Sequence, residues 1–127
     1  RGPERGLAAA RSLGLPFVPL ADLVGVSGDQ AVGAFEIYVH ATPLGRRLAD
    51  ELPLPVARLQ EGAVVVDLVY GERPTPLVAE AERRGLRAID GREVLLHQAI
   101  PQFRAMTGRE LPRALAREVL GLAPEVR

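Results

Sequence analysis

Short apolar runs alternate along the chain with segments whose apolar residues recur every three or four positions. The longest run, residues 62–70, is mostly β-branched, which predicts a central strand buried on both faces. Shorter runs predict further strands at residues 17–20, 34–41 and 86–90. The recurrent spacing predicts helices at residues 2–13, 75–84, 92–106 and 111–120. This alternation favours an α/β fold with a parallel sheet and flanking helices.

Turn-forming and helix-capping residues mark the ends of these elements. Thr75 followed by Pro76 is typical of a helix start, and Gly85 is typical of a helix end. Residues 43–62 are rich in proline, arginine and acidic residues, and we expect them to form a surface excursion. A doubly wound nucleotide-binding domain begins with a strand, a glycine-rich turn and a helix. Here the first predicted element is already a helix, so we expect an incomplete version of that fold.

Composition narrows the chemistry that the chain can perform. Sixteen basic residues balance sixteen acidic ones, so net charge favours neither a nucleic-acid partner nor a membrane surface. No apolar run approaches the roughly 20 residues of a membrane span, and no signal-peptide pattern opens the sequence, so we expect a cytoplasmic protein. Every basic residue is arginine and cysteine is absent, which leaves carboxylates, tyrosines, His40 and His97 for acid–base chemistry.

Two predicted strands end in segments that could bind a ligand, because ligands bind at the carboxyl edge of open parallel sheets. Tyr70, after the 62–70 run, could hydrogen-bond a substrate hydroxyl or carboxylate, or could simply pack at a domain edge. Asp67 could instead cap a neighbouring helix or loop. The small residues around Ala41 and Thr42 leave room for a flat ligand, although they also suit a plain strand exit. We expect His40 to be a hydrogen-bonded edge residue and not a base or a metal ligand.

Three further side chains carry candidate chemistry. Gln98 can donate and accept hydrogen bonds at once, which suits a hydroxylated substrate but equally suits a buried backbone group. His97 has apolar neighbours on the same helix and is expected to be structural. Arg1 and Arg5 flank the start of the first helix, where guanidinium groups and the helix dipole favour a phosphate dianion. A solvated charged helix end is the alternative for that pair.

Taken in order, these segments closely resemble the shikimate dehydrogenase family over most of residues 1–112. The family's strand ending in Asp-hydrophobic-hydrophobic-Tyr, followed by Thr-Pro-Leu, matches residues 66–71 and 75–77. Its Asp-Gly-Leu-Gly-Met-Leu-Val-x-Gln-Ala block matches residues 90–99, and its Phe…x-Gly ending matches Phe103 and Gly108. Its Asn-Ala-Thr-Ser/Pro-x-Gly loop and the tail of its Asn-Arg-Thr-x-x-Arg segment are matched by residues 41–45 and 1–5, respectively.

The resemblance implies NADP-dependent, reversible reduction of 3-dehydroshikimate to shikimate, in aromatic amino-acid biosynthesis. The arginines would hold the NADP 2′-phosphate, the small loop residues would lie along the cofactor, and Leu68 with the backbone near residue 93 would border the nicotinamide. The implied cofactor-binding residues are Arg1, Arg5, Ala41, Thr42, Leu68 and Glu93. The implied substrate-binding residues are Tyr70 and Gln98, which would reach shikimate from the cofactor side.

The chain departs from the family pattern at several positions. His40 stands where the family has Asn, Gly2 replaces Thr, and Arg92-Glu93 replaces Leu-Gly, so that a side chain at residue 93 could crowd the nicotinamide amide. The family's proton-transfer pair, a lysine and an aspartate, belongs to an amino-terminal domain, and this chain has no lysine. We therefore expect no catalytic residue and no metal site in it.

We accordingly interpret residues 1–127 as a partial NADP-binding domain that includes the carboxy-terminal helices, the last at about residues 109–120. In the usual strand order 3-2-1-4-5-6, the first two strands lie between strands 3 and 4. Without them the predicted strand 17–20 has no neighbour, so we expect a fragment that needs the amino-terminal part of the same polypeptide and is inactive alone.

Other interpretations stay open at this point. One is a non-catalytic nucleotide-binding or docking module of the same ancestry, which His40, Glu93 and the missing lysine would suit. The other is a relative that uses quinate or prefers NAD.

Overall fold

The computed structural model contains four α-helices and a three-stranded sheet within the residues that it describes. These residues are 3–19, 22, 35–45, 52–53, 55–71 and 73–124. The helices are α1 (Pro3–Leu13), α2 (Pro76–Arg83), α3 (Gly91–Thr107) and α4 (Arg113–Val119). The strands are β1 (Ile37–His40), β2 (Val64–Asp67) and β3 (Arg87–Ile89), and a short 3-10 helix spans Val56–Arg58.

The sheet is parallel and its strands lie in the order β1-β2-β3. Tyr38 of β1 is paired with Val65 of β2, which is paired with Ala88 of β3. The predicted α/β architecture with a parallel sheet is thus confirmed. The sequential order matches strands 4, 5 and 6 of a doubly wound domain.

The two faces of the sheet differ in burial because side chains alternate along each strand. Tyr38 and Val65 face the buried side, where they pack with residues of α2 and its flanks. This core consists of Tyr38, Val56, Leu59, Ala63, Val65, Leu77, Ala81 and Leu86. On the opposite face Ile37 is 62% exposed and Val39 is 59% exposed. The sequence predicted that the strand within residues 62–70 is buried on both faces. This prediction was wrong, since Val64 and Val66 of β2 are only half-buried.

The segment preceding β2 contributes to the core, contrary to the prediction of a surface excursion over residues 43–62. Val56, in the 3-10 helix, and Leu59, just after it, are both buried. Their apolar side chains cover the α2 side of the sheet, so this segment takes a place that a helix would fill in a regular α/β layer.

The predicted strand at residues 17–20 does not form over residues 17–19, and Leu20 lies outside the described residues. A single extended segment without a paired neighbour gains no ladder hydrogen bonds, and Pro19 has no N–H to donate. Phe17 instead lies over Gly6 of α1. The sequence also predicts a short helical connector at residues 20–23, of which the structure describes only Asp22.

Local signals account well for the helix ends. The Thr75 side chain accepts a hydrogen bond from the Val78 N–H at the start of α2, and Gly85 has a φ of +73° just beyond its end. Asp90 caps α3, and Gly108 ends it in the left-handed conformation. α4 is shorter than the predicted helix 111–120. No helix among the described residues is long and apolar enough to cross a membrane.

Candidate functional site

The carboxyl ends of the three parallel strands bring three loops to one edge of the sheet. These loops follow His40, Asp67 and Ile89, respectively. The first two lie side by side, because the Leu68 N–H donates to the His40 carbonyl oxygen over 2.9 Å. The third leads directly through Asp90 into α3. The edge is therefore built by segments from three parts of the chain.

The buried side chain of Asp67, at the end of β2, accepts hydrogen bonds from two segments of this edge. Its side chain is 1% exposed. Its Oδ1 accepts a hydrogen bond from the Val69 N–H (2.9 Å), and its Oδ2 accepts one from the Thr75 hydroxyl (2.6 Å). Because Thr75 is the N-cap of α2, Asp67 connects the end of β2 to the start of that helix. The capping interpretation of Asp67 is confirmed.

His40, at the end of β1, is buried next to the same carboxylate. Its Nε2 shares a hydrogen bond of 2.9 Å with the Thr42 hydroxyl, and its Nδ1 lies 3.6 Å from Asp67 Oδ1. The Thr42 hydroxyl also accepts a hydrogen bond from the Leu44 N–H. The expectation that His40 is a hydrogen-bonded edge residue is confirmed, and its contact orders the loop that carries Ala41 and Thr42.

Four of the candidate binding residues are exposed along this edge. Ala41 and Thr42 follow β1, and Leu68 and Tyr70 follow β2. Tyr70 is 49% exposed, so its hydroxyl can reach a ligand. The two loops that carry these candidates are therefore neighbours at this edge of the sheet.

α3 begins in direct contact with the loop after β2. A Cβ atom added at Gly91 would lie 2.6 Å from the Val69 carbonyl oxygen and 2.8 Å from that of Asp67. Only glycine permits so close an approach of the helix to that backbone. The Asp90-Gly91 pair is visible in the sequence, but its packing against this backbone was not predicted from it.

A groove of about 510 Å³ lies between the loop after β2, α3 and the end of α4. It is lined by Tyr70, Gly71, Arg92, Leu95, Glu118, Val119, Leu120 and Gly121. Gln98 is exposed and lies one helical turn beyond Leu95, because side chains three positions apart share a helix face. Gln98 is therefore placed one turn along α3 from the groove that Tyr70 lines.

The other side of α3 lines a second groove, of about 450 Å³, against β3. Its walls include Glu93, Val94 and His97 of α3 and Arg87 and Ile89 of β3. His97 was expected to be structural, but its side chain is exposed and does not pack in the core. Gln98 follows Val94 by one turn as well, so it lies on the ridge between the two grooves.

Arg92, in the first turn of α3, is buried but fully engaged. Its guanidinium donates to both carboxylate oxygens of Asp90, at 3.0 and 2.9 Å. It also donates to the Leu120 and Gly121 carbonyl oxygens beyond the end of α4. The hydrogen bond to Asp90 raises the pKa of Arg92 above its ordinary value. Because carbonyl groups at a helix end lack helical partners, a permanent cation there stabilises α4.

Glu93, the next residue, forms a two-pronged ion pair with Arg117 of α4. The Arg117 Nη1 and Nη2 groups donate to Oε2 and Oε1 at 2.9 and 2.5 Å, respectively. The Arg117 Nε also donates to the Ala123 carbonyl oxygen over 2.7 Å. The role of Arg117 is not apparent from the sequence. The one sequence feature that pointed to this region was the charged pair Arg92-Glu93, which replaces Leu-Gly of the family motif.

Of the two arginines that were predicted to bind a phosphate at the first helix, the structure describes only Arg5. Arg5 is exposed in the first turn of α1, which suits an anion site at a helix start. Arg1 lies outside the described residues. The role of the pair remains a prediction.

Comparison with known proteins identifies the relatives of this chain. The family model for the shikimate 5′-dehydrogenase C-terminal domain matches residues 91–120, which cover α3 and α4. A shikimate dehydrogenase (NADP(+)) from Acidiphilium cryptum is 39% identical over 127 residues, and one from Methanothrix thermoacetophila is 37% identical over 125. The chain is thus similar to the carboxy-terminal part of shikimate dehydrogenases. In both relatives the match covers 95% of this chain and 44% of the relative, so the chain spans less than half of their length.

Solved structures of a shikimate dehydrogenase and of a quinate dehydrogenase share the fold. The shikimate 5-dehydrogenase of Thermus thermophilus, crystallised with NADP(H) and shikimate, superposes with a TM-score of 0.74 at 30% identity. That match covers 95% of this chain and 43% of the other. A quinate dehydrogenase from Corynebacterium glutamicum in complex with NAD gives a TM-score of 0.74 at 27% identity, covering 94% of this chain and 43% of the other. The incomplete doubly wound architecture is thereby confirmed.

Proposed function

We propose that this chain is the nucleotide-binding part of an NADP-dependent shikimate dehydrogenase, which interconverts 3-dehydroshikimate and shikimate. The observation that carries the proposal is the shared edge, where the motif loops after β1 and β2 and the start of α3 meet. The names of the relatives, and the NADP(H) and shikimate in the Thermus thermophilus complex, support it. A cytoplasmic location remains part of the proposal.

The proposed cofactor wall consists of exposed residues at that edge. The side chains of Ala41 and Thr42 are small, so a flat ligand can approach the backbone of their loop. Leu68 is 41% exposed and offers an apolar contact beside them. We assign these residues and the backbone at Glu93 to NADP, which supplies or accepts a hydride when bound.

The proposed substrate contacts come from the phenol of Tyr70 and the amide of Gln98. Both side chains are exposed, and both can donate and accept hydrogen bonds, as a polyhydroxylated ring requires. We assign no catalytic residue to this chain, so the proton transfer that accompanies hydride transfer must come from the amino-terminal part of the polypeptide. The chain by itself is accordingly expected to be inactive.

The complete polypeptide is expected to oxidise shikimate with NADP, measured as the absorbance of the NADPH that forms. Tyr70→Phe and Gln98→Ala should each raise KM for shikimate by about fivefold, because each removes a hydrogen bond worth about 1 kcal/mol. KM for NADP should stay within about twofold of the wild-type value.

Gln102→Ala is the matched control for this experiment, since Gln102 is an exposed glutamine farther along α3. Its KM for shikimate should be unchanged. Tight NADP binding without any oxidation of shikimate would reject the enzymatic proposal in favour of a non-catalytic nucleotide-binding module.

The preference of the complete polypeptide for NADP over NAD tests the assignment of Arg1 and Arg5. NAD is the nucleotide in the quinate dehydrogenase complex. Replacing Arg1 by Ser and Arg5 by Leu in the complete polypeptide should lower kcat/KM for NADP at least tenfold and leave that for NAD nearly unchanged. The reason is that two guanidinium groups at a helix start are lost as partners of the 2′-phosphate.

Arg11→Leu provides the control, because Arg11 is exposed in the last turn of the same helix. It should leave the NADP/NAD ratio unaltered. If the double variant keeps the wild-type ratio, the assignment of Arg1 and Arg5 to the 2′-phosphate is wrong, and higher activity with quinate and NAD would favour the quinate-using alternative.

A further inference from the structure

We infer that Arg117 is a positioning residue, which holds the Glu93 carboxylate against α4 and so keeps the proposed nicotinamide wall clear. The inference rests on the proposed function and deepens it. Glu93 stands where the family motif has glycine, a position at which a side chain could obstruct the cofactor amide. This chain therefore requires a means of controlling that side chain.

The contact between Glu93 and Arg117 has the geometry of a fixed pair. Both guanidinium Nη groups donate to the two carboxylate oxygens, at 2.9 and 2.5 Å, which restrains the carboxylate in direction as well as in distance. The side chains are 26% and 12% exposed, respectively, so solvent screens their attraction less than it screens a surface pair. The Nε of Arg117 is occupied by the Ala123 carbonyl oxygen, which prevents the guanidinium from rotating freely.

α4 itself is held in place by a second polar contact from α3. α4 has seven residues, all of them described, and none is buried. So short a helix is marginal without tertiary contacts. Arg92 supplies such contacts by donating to the Leu120 and Gly121 carbonyl oxygens, while Asp90 fixes Arg92. Arg117 therefore binds Glu93 from a helix whose end is held in place by Arg92.

The two departures from the family motif therefore act together. Arg92, in place of leucine, fixes the end of α4, and Glu93, in place of glycine, is bound by a residue of that helix. The result is that the carboxylate is engaged with Arg117, and only the backbone of residue 93 is left to face the cofactor. This explains how a member of the family can carry glutamate at that position.

The test is the affinity of the complete polypeptide for NADPH, measured by fluorescence titration. Arg117→Leu should raise the Kd for NADPH at least tenfold, because the Glu93 carboxylate is released beside the cofactor. Arg117→Lys, which keeps the charge but lacks the planar fork, should give an intermediate value. The double variant Arg117→Leu/Glu93→Gly should return to within about twofold of the wild-type Kd, because the released group is no longer there.

Removing the second member of an ion pair can also relieve an unpaired charge, so Arg117→Leu/Glu93→Gln is measured beside the glycine variant. Glutamine removes the charge but keeps the bulk, so a positioning role predicts that this variant binds NADPH as weakly as Arg117→Leu, whereas a merely structural role predicts rescue by both. If the glycine double variant binds as weakly as Arg117→Leu, if the glutamine double variant is rescued as well, or if Arg117→Leu binds like the wild type, the inference is overturned. Arg109→Leu, which alters an exposed arginine of the loop before α4, should not change the Kd. Failure of the wild-type polypeptide to bind NADPH would instead overturn the proposed function itself.

Discussion

Replacing Asp67 by alanine is expected to lower the free energy of unfolding by about 3 kcal/mol, a large effect for one residue. The carboxylate is almost completely buried and accepts hydrogen bonds from the Thr75 hydroxyl and the Val69 N–H. Its removal leaves both donors buried without their partner and disconnects β2 from the start of α2. Chemical denaturation of the complete polypeptide, followed by circular dichroism, measures the loss.

Asp67→Asn tests whether the effect comes from the hydrogen bonds. An amide has a single acceptor oxygen, so it can satisfy only one of the two donors, and the loss should be smaller but still about 2 kcal/mol. Glu82→Ala removes an exposed carboxylate from α2 and should change the stability by less than about 0.5 kcal/mol. Equal stability of Asp67→Ala and Glu82→Ala would contradict the assigned role of Asp67.

Gly91→Ala is expected to destabilise the protein by about 2 kcal/mol and, under the proposed function, to raise the KM of the complete polypeptide for shikimate. The new Cβ would lie 2.6 and 2.8 Å from two backbone carbonyl oxygens, which cannot move aside as a flexible side chain can. The first turn of α3 must therefore shift, with a cost typical of overpacking. That shift also moves Leu95 and Gln98 relative to Tyr70, so stability and substrate affinity should change together.

Gly71→Ala is the matched comparison. Gly71 lies in the same loop region, has no positive φ, and has open space around the added Cβ among the described residues. Its stability should change by less than about 0.5 kcal/mol. Gly85→Ala should rank between the two at about 1 kcal/mol, because the space is open but the φ of +73° is strained for alanine. Any other ranking would argue against the contact between α3 and the loop after β2.

The elements that could be predicted from the sequence are those with strong local signals. The β-branched run became β2, and the Thr75-Pro76 start and Gly85 end set the bounds of α2. The start of α3 at Gly91 similarly follows from its Asp90 cap. These signals act through hydrogen bonds and backbone preferences within a few residues, so they need no knowledge of the rest of the fold.

The elements that were mispredicted depend on partners elsewhere in the chain. Residues 17–19 have a composition that suits a strand, but a strand needs a neighbour to pair with. Val56 and Leu59 lie in a proline-rich polar segment, yet they are buried because the sheet and α2 present an apolar surface to them. Burial of this kind is a property of the assembled layers and not of the local pattern.

For this protein, residue order alone determined the α/β class, the parallel sheet and the motif loops that point to the shikimate dehydrogenase family. The tertiary structure decided how α3 contacts the backbone after β2 and how Glu93 is bound by Arg117, 24 positions away. The physical reason is that caps and turns are satisfied within a few residues, whereas a close backbone approach or a partly buried ion pair between distant residues exists only when their segments are packed together.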